Sequence, residues 1–494
     1  MEDLTLYDYL CIPRDASQEE IRRAYRQLVL HLHPDTNVNK GDTQLFLDIQ
    51  QAYESLSDPI KKDDYDRHLP AESPLDYPIA IKTSYSQPVV ARLPEPQLVY
   101  ALLDLTLIAD TKEWVSSTPL NISMVVDCST SMQGIRLDAV KMTVIDCLRK
   151  LQPSDIFSLV KFNDFAELLL PPVNQADIKS AEMKVQLLRA EGGTEIYKGL
   201  EMGFTQVNKN FSTQRINHII LVTDGRTYGD EAQCQQLAEQ CAASQIGISA
   251  LGIGNEWNDR FLDQITANTG GICKYIPDSG DIRNTILDEI SRLGSCLTEQ
   301  INYNIHIPEH IEISSIYRLQ PDASPLEPRS PINLGNLPHF GNMNVLFEFT
   351  VKDIPSGTAD LTLSKGFIYY EIPRHTRKTR YVNRLAFSLP VSSEPVKSLP
   401  PTSILNAITF LSLYHMQERA SVEMNKGNHT SAARYMENMA TQLLQKGERN
   451  LAQSVLTEVT NLRNNQSFSE DGEKRIKYGT RALLLPPGGK PNKL

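Results

Sequence analysis

The sequence predicts a multidomain chain: an all-α module at the start, an α/β doubly wound domain inserted in an antiparallel β-sandwich, and a C-terminal α-helical bundle. Three observations predict it. Apolar residues recur at helical spacing between Ser17 and Leu56. From about residue 118 apolar strands alternate with helices, the pattern of a mainly parallel sheet covered on both faces. The segments flanking that alternation read as strands, with the second alternating apolar and polar residues. At 494 residues the chain exceeds what one core serves; at roughly 150 residues per domain, about three are expected.

Composition narrows the function classes. A net charge of -11 disfavours non-specific binding to nucleic acid or to an anionic membrane, both of which need a positive field, so the expected partners are proteins. MEDLTLYDYL has neither a basic leader nor a long apolar run, and no later segment approaches the ~20 apolar residues of a membrane span; a cytoplasmic location is expected. The cysteines (Cys11, Cys128, Cys147, Cys234, Cys241, Cys273 and Cys296) are scattered without a C-x-x-C pair and read as reduced, buried thiols.

In the first module, Ser17 and Glu20 form a capping box, and Ile21, Ala24, Tyr25, Leu28, Val29 and Leu32 follow at helical spacing. A second helix runs through Phe46, Ile49, Tyr53 and Leu56; a third starts at Pro59 with Asp58 as its cap. The first two bracket HLHPDTN, residues 31–37. Arg22 and Arg26 are four apart, a like-charge spacing that costs a few tenths of a kcal/mol, so helix stability does not explain them. Pro34 fixes its own φ and pushes His33 out of helical geometry, holding His33 and Asp35 outward at small entropic cost. The helix ending in HPD, the AYRQL segment and QAYESLSDP followed by YD resemble the J domain of DnaJ-type co-chaperones over residues 1–69. The resemblance implies docking on a DnaK-class chaperone ATPase, with His33, Pro34 and Asp35 as the loop that stimulates it and Arg22, Arg23 and Arg26 as docking charges. Family members are often basic here, whereas Asp48, Glu54, Asp58, Asp63, Asp64 and Asp66 are expected to weaken or restrict the choice of chaperone.

The α/β domain, 118–297, carries its informative residues where ligands bind on such sheets, at the carboxyl ends of strands. LNISMVVD runs into DCSTS, giving Asp127, Ser129 and Ser131; EGGTE supplies Thr194; NHIILVTDG ends at Asp224. Three hydroxyls and two carboxylates are hard oxygen donors, suited to Mg2+ or Mn2+ and not to zinc. Gly192 and Gly193 let the Thr194 loop approach closely. This constellation resembles the von Willebrand factor A (vWA) fold with its metal-ion-dependent adhesion site, D-x-S-x-S with a distant Thr and Asp. The resemblance implies that the serines and threonine bind the ion directly, the aspartates directly or through water, and that an acidic side chain of a partner protein completes the coordination.

Around this domain, 79–117 and 298–396 are expected to join into one β-sandwich, with 70–78 as a linker after the first module. Residues 400–485 read as helices through Ile404–Met424, Thr430–Leu444 and Leu451–Leu462, and 486–494, rich in Pro and Gly, as a disordered tail. No nucleophile with a matched base, no phosphate-binding loop and no metal set with a general base is visible, so no enzyme is expected; Glu195, beside Thr194, is the one residue that invites a test for hydrolysis. The leading expectation is an adaptor that captures a partner through the ion and brings a chaperone to it. The alternative is a scaffold of a multiprotein regulatory or defence complex in which the first module is only an assembly contact.

Overall fold

The computed structural model describes residues 5–32, 40–69, 78–108, 118–173, 178–338, 341–373, 378–396 and 398–483, apart from positions 213, 228, 297, 299 and 470. The first module begins with one turn, α1 (Leu6–Tyr9), which the sequence pattern did not reveal. At the predicted capping box the Ser17 N–H donates to Glu20 Oε2 at 2.8 Å and the Glu20 N–H to Ser17 Oγ at 3.3 Å, starting α2 (Gln18–Leu32). α3 (Lys40–Leu56) packs antiparallel to it, with Tyr25 stacked on Tyr53 at 3.9 Å over Ile21, Ala24, Ile49 and Ala52. Asp58 caps α4 (Pro59–His68) by accepting from the N–H groups of Ile60 and Lys61. His33, Pro34 and Asp35 lie outside the described residues.

After β1 (Ile79–Tyr85), β2 (Val90–Ala91) and β3 (Gln97–Leu107) the chain enters the α/β domain. This consists of β4 (Leu120–Asp127), α5 (Ile135–Lys150), β5 (Ile156–Phe162), β6 (Ala166–Val173), α6 (Ile178–Gln186), α7 (Ile196–Lys209), β7 (Ile216–Thr223), α8 (Glu231–Ala243), β8 (Gly247–Ile253), α9 (Asp259–Asn268), β9 (Cys273–Ile276) and α10 (Ile282–Gly294). The sheet order is β6-β5-β4-β7-β8-β9, parallel except for β6 at one edge. β4 and β7 are buried at every position, as continuous apolar runs between two helical layers must be. The layers are α5, α6 and α10 on one face and α7, α8 and α9 on the other. Where the chain enters and leaves, the Thr118 hydroxyl donates to the Cys296 carbonyl at 2.9 Å.

The chain then returns through β10 (Ile301–His306), β11 (Ile311–Gln320), β12 (Ser324–Leu326), β13 (Ile332–Gly335), β14 (Asn342–Val351), β15 (Asp360–Pro373) and β16 (Lys378–Ser392). Strands from before and after the insertion interleave in two five-stranded sheets, β1-β3-β14-β11-β12 and β13-β10-β15-β16-β2. Between them lie Tyr303, Phe347, Phe349 and Phe387. Arg318, fully buried, staples the sandwich to the α/β domain: it donates to the carbonyls of Leu334 and Gly271, each at 3.0 Å, and to Asp322 at 2.7 Å.

Both outer sheet faces are covered. α11 (Thr402–Asn425) lays Ile404, Ala407, Phe410 and Leu411 on Leu102, Tyr317 and Leu346 of the first sheet. The N-terminal module covers the second: Phe367 joins its core cluster, and Arg384, over the Phe367 ring at 5.1 Å, pairs with Asp15 at 3.0 Å and Glu20 at 2.9 Å. α12 (His429–Gln445) and α13 (Arg449–Asn465) match the predicted helices, but a fourth, α14 (Gly472–Ala482), was not foreseen. It returns to the α/β domain and grips α9. All seven cysteines are free thiols and six are buried. Among the described residues no helix is long and apolar enough to cross a membrane.

Candidate metal site

Parallel strands β4 and β7 are neighbours, so their carboxyl ends deliver Asp127 and Asp224 to the same edge. Asp127 is wholly buried, its Oδ1 accepting the Ser129 N–H at 2.8 Å and its Oδ2 the Thr223 hydroxyl at 2.6 Å. Burial pushes this carboxyl up to about 6, against the lowering effect of those hydrogen bonds. Ser129 Oγ lies 3.0 Å from Ser131 Oγ, and Ser131 Oγ donates to Asp224 Oδ1 at 2.6 Å. Thr194 closes the set: a Cβ added to Gly225 would lie 3.0 Å from Thr194 Oγ1, which places that hydroxyl against the residue after Asp224. Hydrogen bonds thus link Asp127, Ser129, Ser131 and Asp224, and Thr194 stands beside the residue that follows Asp224. Among the described residues no group of three or more His, Cys, Asp or Glu gathers as metal ligands.

The Thr194 loop is positioned by neighbours the sequence analysis did not single out. A Cβ on Gly192 or Gly193 would strike the Asp164 carboxylate at 2.3 or 2.7 Å, so the glycines serve approach to Asp164, whose Oδ2 accepts the Gly193 N–H at 3.1 Å. Behind the loop, Thr227 Oγ1 accepts from the Ile196 N–H at 3.2 Å and Asp230 Oδ2 from the Tyr197 N–H at 2.8 Å, satisfying the start of α7. Arg136, in the first turn of α5, ion-pairs with Asp224 Oδ2. None of Thr223, Thr227, Asp230 or Arg136 carried a local signal beyond nearness to a motif. Glu195 pairs with Lys198 at 2.6 Å, an exposed helix-start contact.

The donor set fits a hard divalent cation. Two carboxylates, each at most 1 % exposed, are accompanied by one guanidinium, which pairs with Asp224, and this leaves a buried negative excess beside the hydroxyl oxygens.

Of the second set of predicted residues, the three arginines fall among the described residues. Arg22 and Arg26 are exposed on the side of α2 turned away from the sandwich. Arg23 is at the seam, paired with Glu19 at 3.0 Å and lining a groove with Glu20, His306 and Lys365, so the three arginines do not share one free face. One further cluster resembles catalytic machinery. His218 Nε2 lies 2.8 Å from Ser249 Oγ, but Ser249 donates its only proton to Glu289 at 2.7 Å, so the imidazole must donate to the serine and cannot serve as its base. All three are buried, with Arg292 on Glu289 at 2.7 Å.

Family models match three parts of the chain: the DnaJ domain at 5–66, the von Willebrand factor type A domain at 121–288, and the Sll0103-like, C-terminal alpha-helical domain at 402–486. The uncharacterized protein sll0103 of Synechocystis is 23% identical over 381 residues, 75% of this chain and 89% of that protein. The chaperone protein DnaJ of Thermotoga petrophila is 54% identical over 63 residues, 12% of this chain and 17% of that one. Inter-alpha-trypsin inhibitor heavy chain H4 of Bos taurus is 28% identical over 200 residues, 38% of this chain and 22% of that one. The chain thus spans most of the cyanobacterial protein and under a quarter of the other two. In fold it is similar to a von Willebrand factor type A protein from Catenulispora acidiphila, with TM-score 0.65 and 13% identity over 83% of this chain and 98% of that one. It is also similar to the ArnB paralog VWA2 from Sulfolobus acidocaldarius, with TM-score 0.53, 13% identity and coverage of 83% and 99%.

Proposed function

From a chain that joins a DnaJ domain to a von Willebrand factor type A domain and an Sll0103-like helical domain, we propose an adaptor that holds a client protein and presents it to a DnaK-class chaperone. DnaJ and von Willebrand factor type A domains are typically interaction modules, and the DnaJ domain implies a DnaK-type partner in general. The vWA domain supplies the capture site. Asp127, Ser129, Ser131, Thr194 and Asp224 would hold Mg2+ or Mn2+, which when bound would supply an electrophile for an acidic side chain of the client. Thr223 and the Ser129 amide orient Asp127, while Asp164 and Asp230 steady the loop that carries Thr194. The observation that carries this reading is the gathering of Asp127, Ser129, Ser131 and Asp224 where β4 and β7 end, with Thr194 beside them on the loop before α7.

Affinity capture from source-cell lysate, run in parallel with Mg2+ and with a chelator, tests it. A client retained with Mg2+ and lost with chelator or in Asp127→Ala supports the reading; the same proteins in every arm overturn it. A scaffold role is the second reading, favoured by the seam of Phe367 and Arg384 that fixes the DnaJ domain to the sandwich. Under it His33→Gln leaves the assembled complex and its activity unchanged, whereas the adaptor loses chaperone recruitment.

A further inference from the structure

A basic residue in the first turn of a helix opposes the helix dipole, so Arg136 at the start of α5 is not there for helix stability. Its guanidinium ion-pairs with Asp224 Oδ2 and donates weakly to the Ser131 carbonyl at 3.4 Å, so it meets two of the five donor residues. Across the site it reaches the end of β8, where a Cβ on Gly254 would lie 3.0 Å from Nη2; Gly254 has φ +66, and a larger residue there would crowd the guanidinium. The Asp224 side chain is fully buried while that of Arg136 is 39% exposed. The guanidinium side of this pair therefore borders solvent, while the carboxylate side does not.

We infer that Arg136 is a resident counter-cation that competes with the divalent ion for Asp224, so that the ion is held reversibly and client capture responds to divalent concentration. The inference rests on the metal-site reading above. An ion among the five donors must share Asp224 with the guanidinium or displace it, and either outcome lowers its affinity. Removing the charge of Arg136 should tighten ion binding.

The test is titration of the full chain with Mn2+ alone, read by electron paramagnetic resonance, for wild type, Arg136→Gln and Arg136→Lys, with far-ultraviolet circular dichroism to verify the fold. Arg136→Gln should bind about tenfold more tightly than wild type, an effect equal to ~1.4 kcal/mol. Arg136→Lys, which keeps the charge, should stay close to wild type. If wild type binds Mn2+ and folded Arg136→Gln binds equally or more weakly, the competition is refuted while the metal site stands. If neither binds, the metal-site reading falls and this inference with it. Binding by Arg136→Gln alone supports the competition and refutes a loaded site in the native chain.

Discussion

Asp263→Asn should detach the last helix from the vWA domain. Asp263 of α9 accepts from Arg481 at 2.9 and 2.7 Å and from Lys477 at 2.8 Å; Lys477 also pairs with Asp259. All of these except Asp259 are almost wholly buried, and the cluster balances two cations against two carboxylates. Lys474 extends the grip, donating to the Trp257 carbonyl at 2.6 Å and standing 4.2 Å above the indole. Burial alone would raise the Asp263 carboxyl, but Arg481 and Lys477 outweigh it and hold the group well below the usual carboxylate range. A carboxyl with a depressed folded pKa contributes stability above its unfolded value near 4 and loses it only as pH falls toward the folded value, so mild acid should leave this clasp intact. Asparagine leaves one buried positive charge uncompensated, and breaking such a pair costs ~3–5 kcal/mol. Because α14 is terminal to the described fold, the cost should appear as local opening. Amide hydrogen exchange across Gly472–Ala482 should accelerate more than about 100-fold. Exchange within threefold of wild type would refute the claim that these charges hold the helix.

Arg384→Glu would set three acids together at the DnaJ seam; it should cost ~1 kcal/mol and free that domain, raising the radius of gyration seen by small-angle X-ray scattering. Unchanged scattering would mean that the packing around Phe367 holds the seam without the Arg384 ion pairs. Burial pushes His218 down to about 3, so between its ordinary 6.5 and that value the unfolded chain binds a proton that the fold refuses. Stability should therefore fall with acid at up to ~1.4 kcal/mol per pH unit from this residue. His218→Asn should flatten the pH dependence of urea unfolding between about pH 4.5 and 6; an unaltered slope contradicts the assignment.

How much of this was legible in the sequence depended on the range of the interactions involved. The apolar runs of β4 and β7 announced a sheet buried on both faces, and Ser17 with Glu20 announced α2, because those signals are local. That Asp127 and Asp224 would share one sheet edge was readable because motif and strand end coincide, whereas Thr194 arrives on the loop before α7. α14 was missed because Lys474, Lys477 and Arg481 look like a solvated face, while the carboxylates that pair with Lys477 and Arg481 and the carbonyls that accept from Lys474 lie more than 200 positions earlier. Arg136 and Thr223 escaped for the same reason: each meets its partner only after β4 and β7 pair. The split among Arg22, Arg23 and Arg26 required knowing that the sandwich covers one flank of α2, which no local pattern encodes.

The most direct test of the adaptor is the steady-state ATPase rate of a cognate DnaK-class chaperone with and without this chain. The account predicts a rate increase with wild type that is lost in His33→Gln and weakened in the Arg22→Ala, Arg26→Ala double variant, while Mg2+-dependent client capture survives in both. An ATPase rate that wild type leaves unchanged would contradict it.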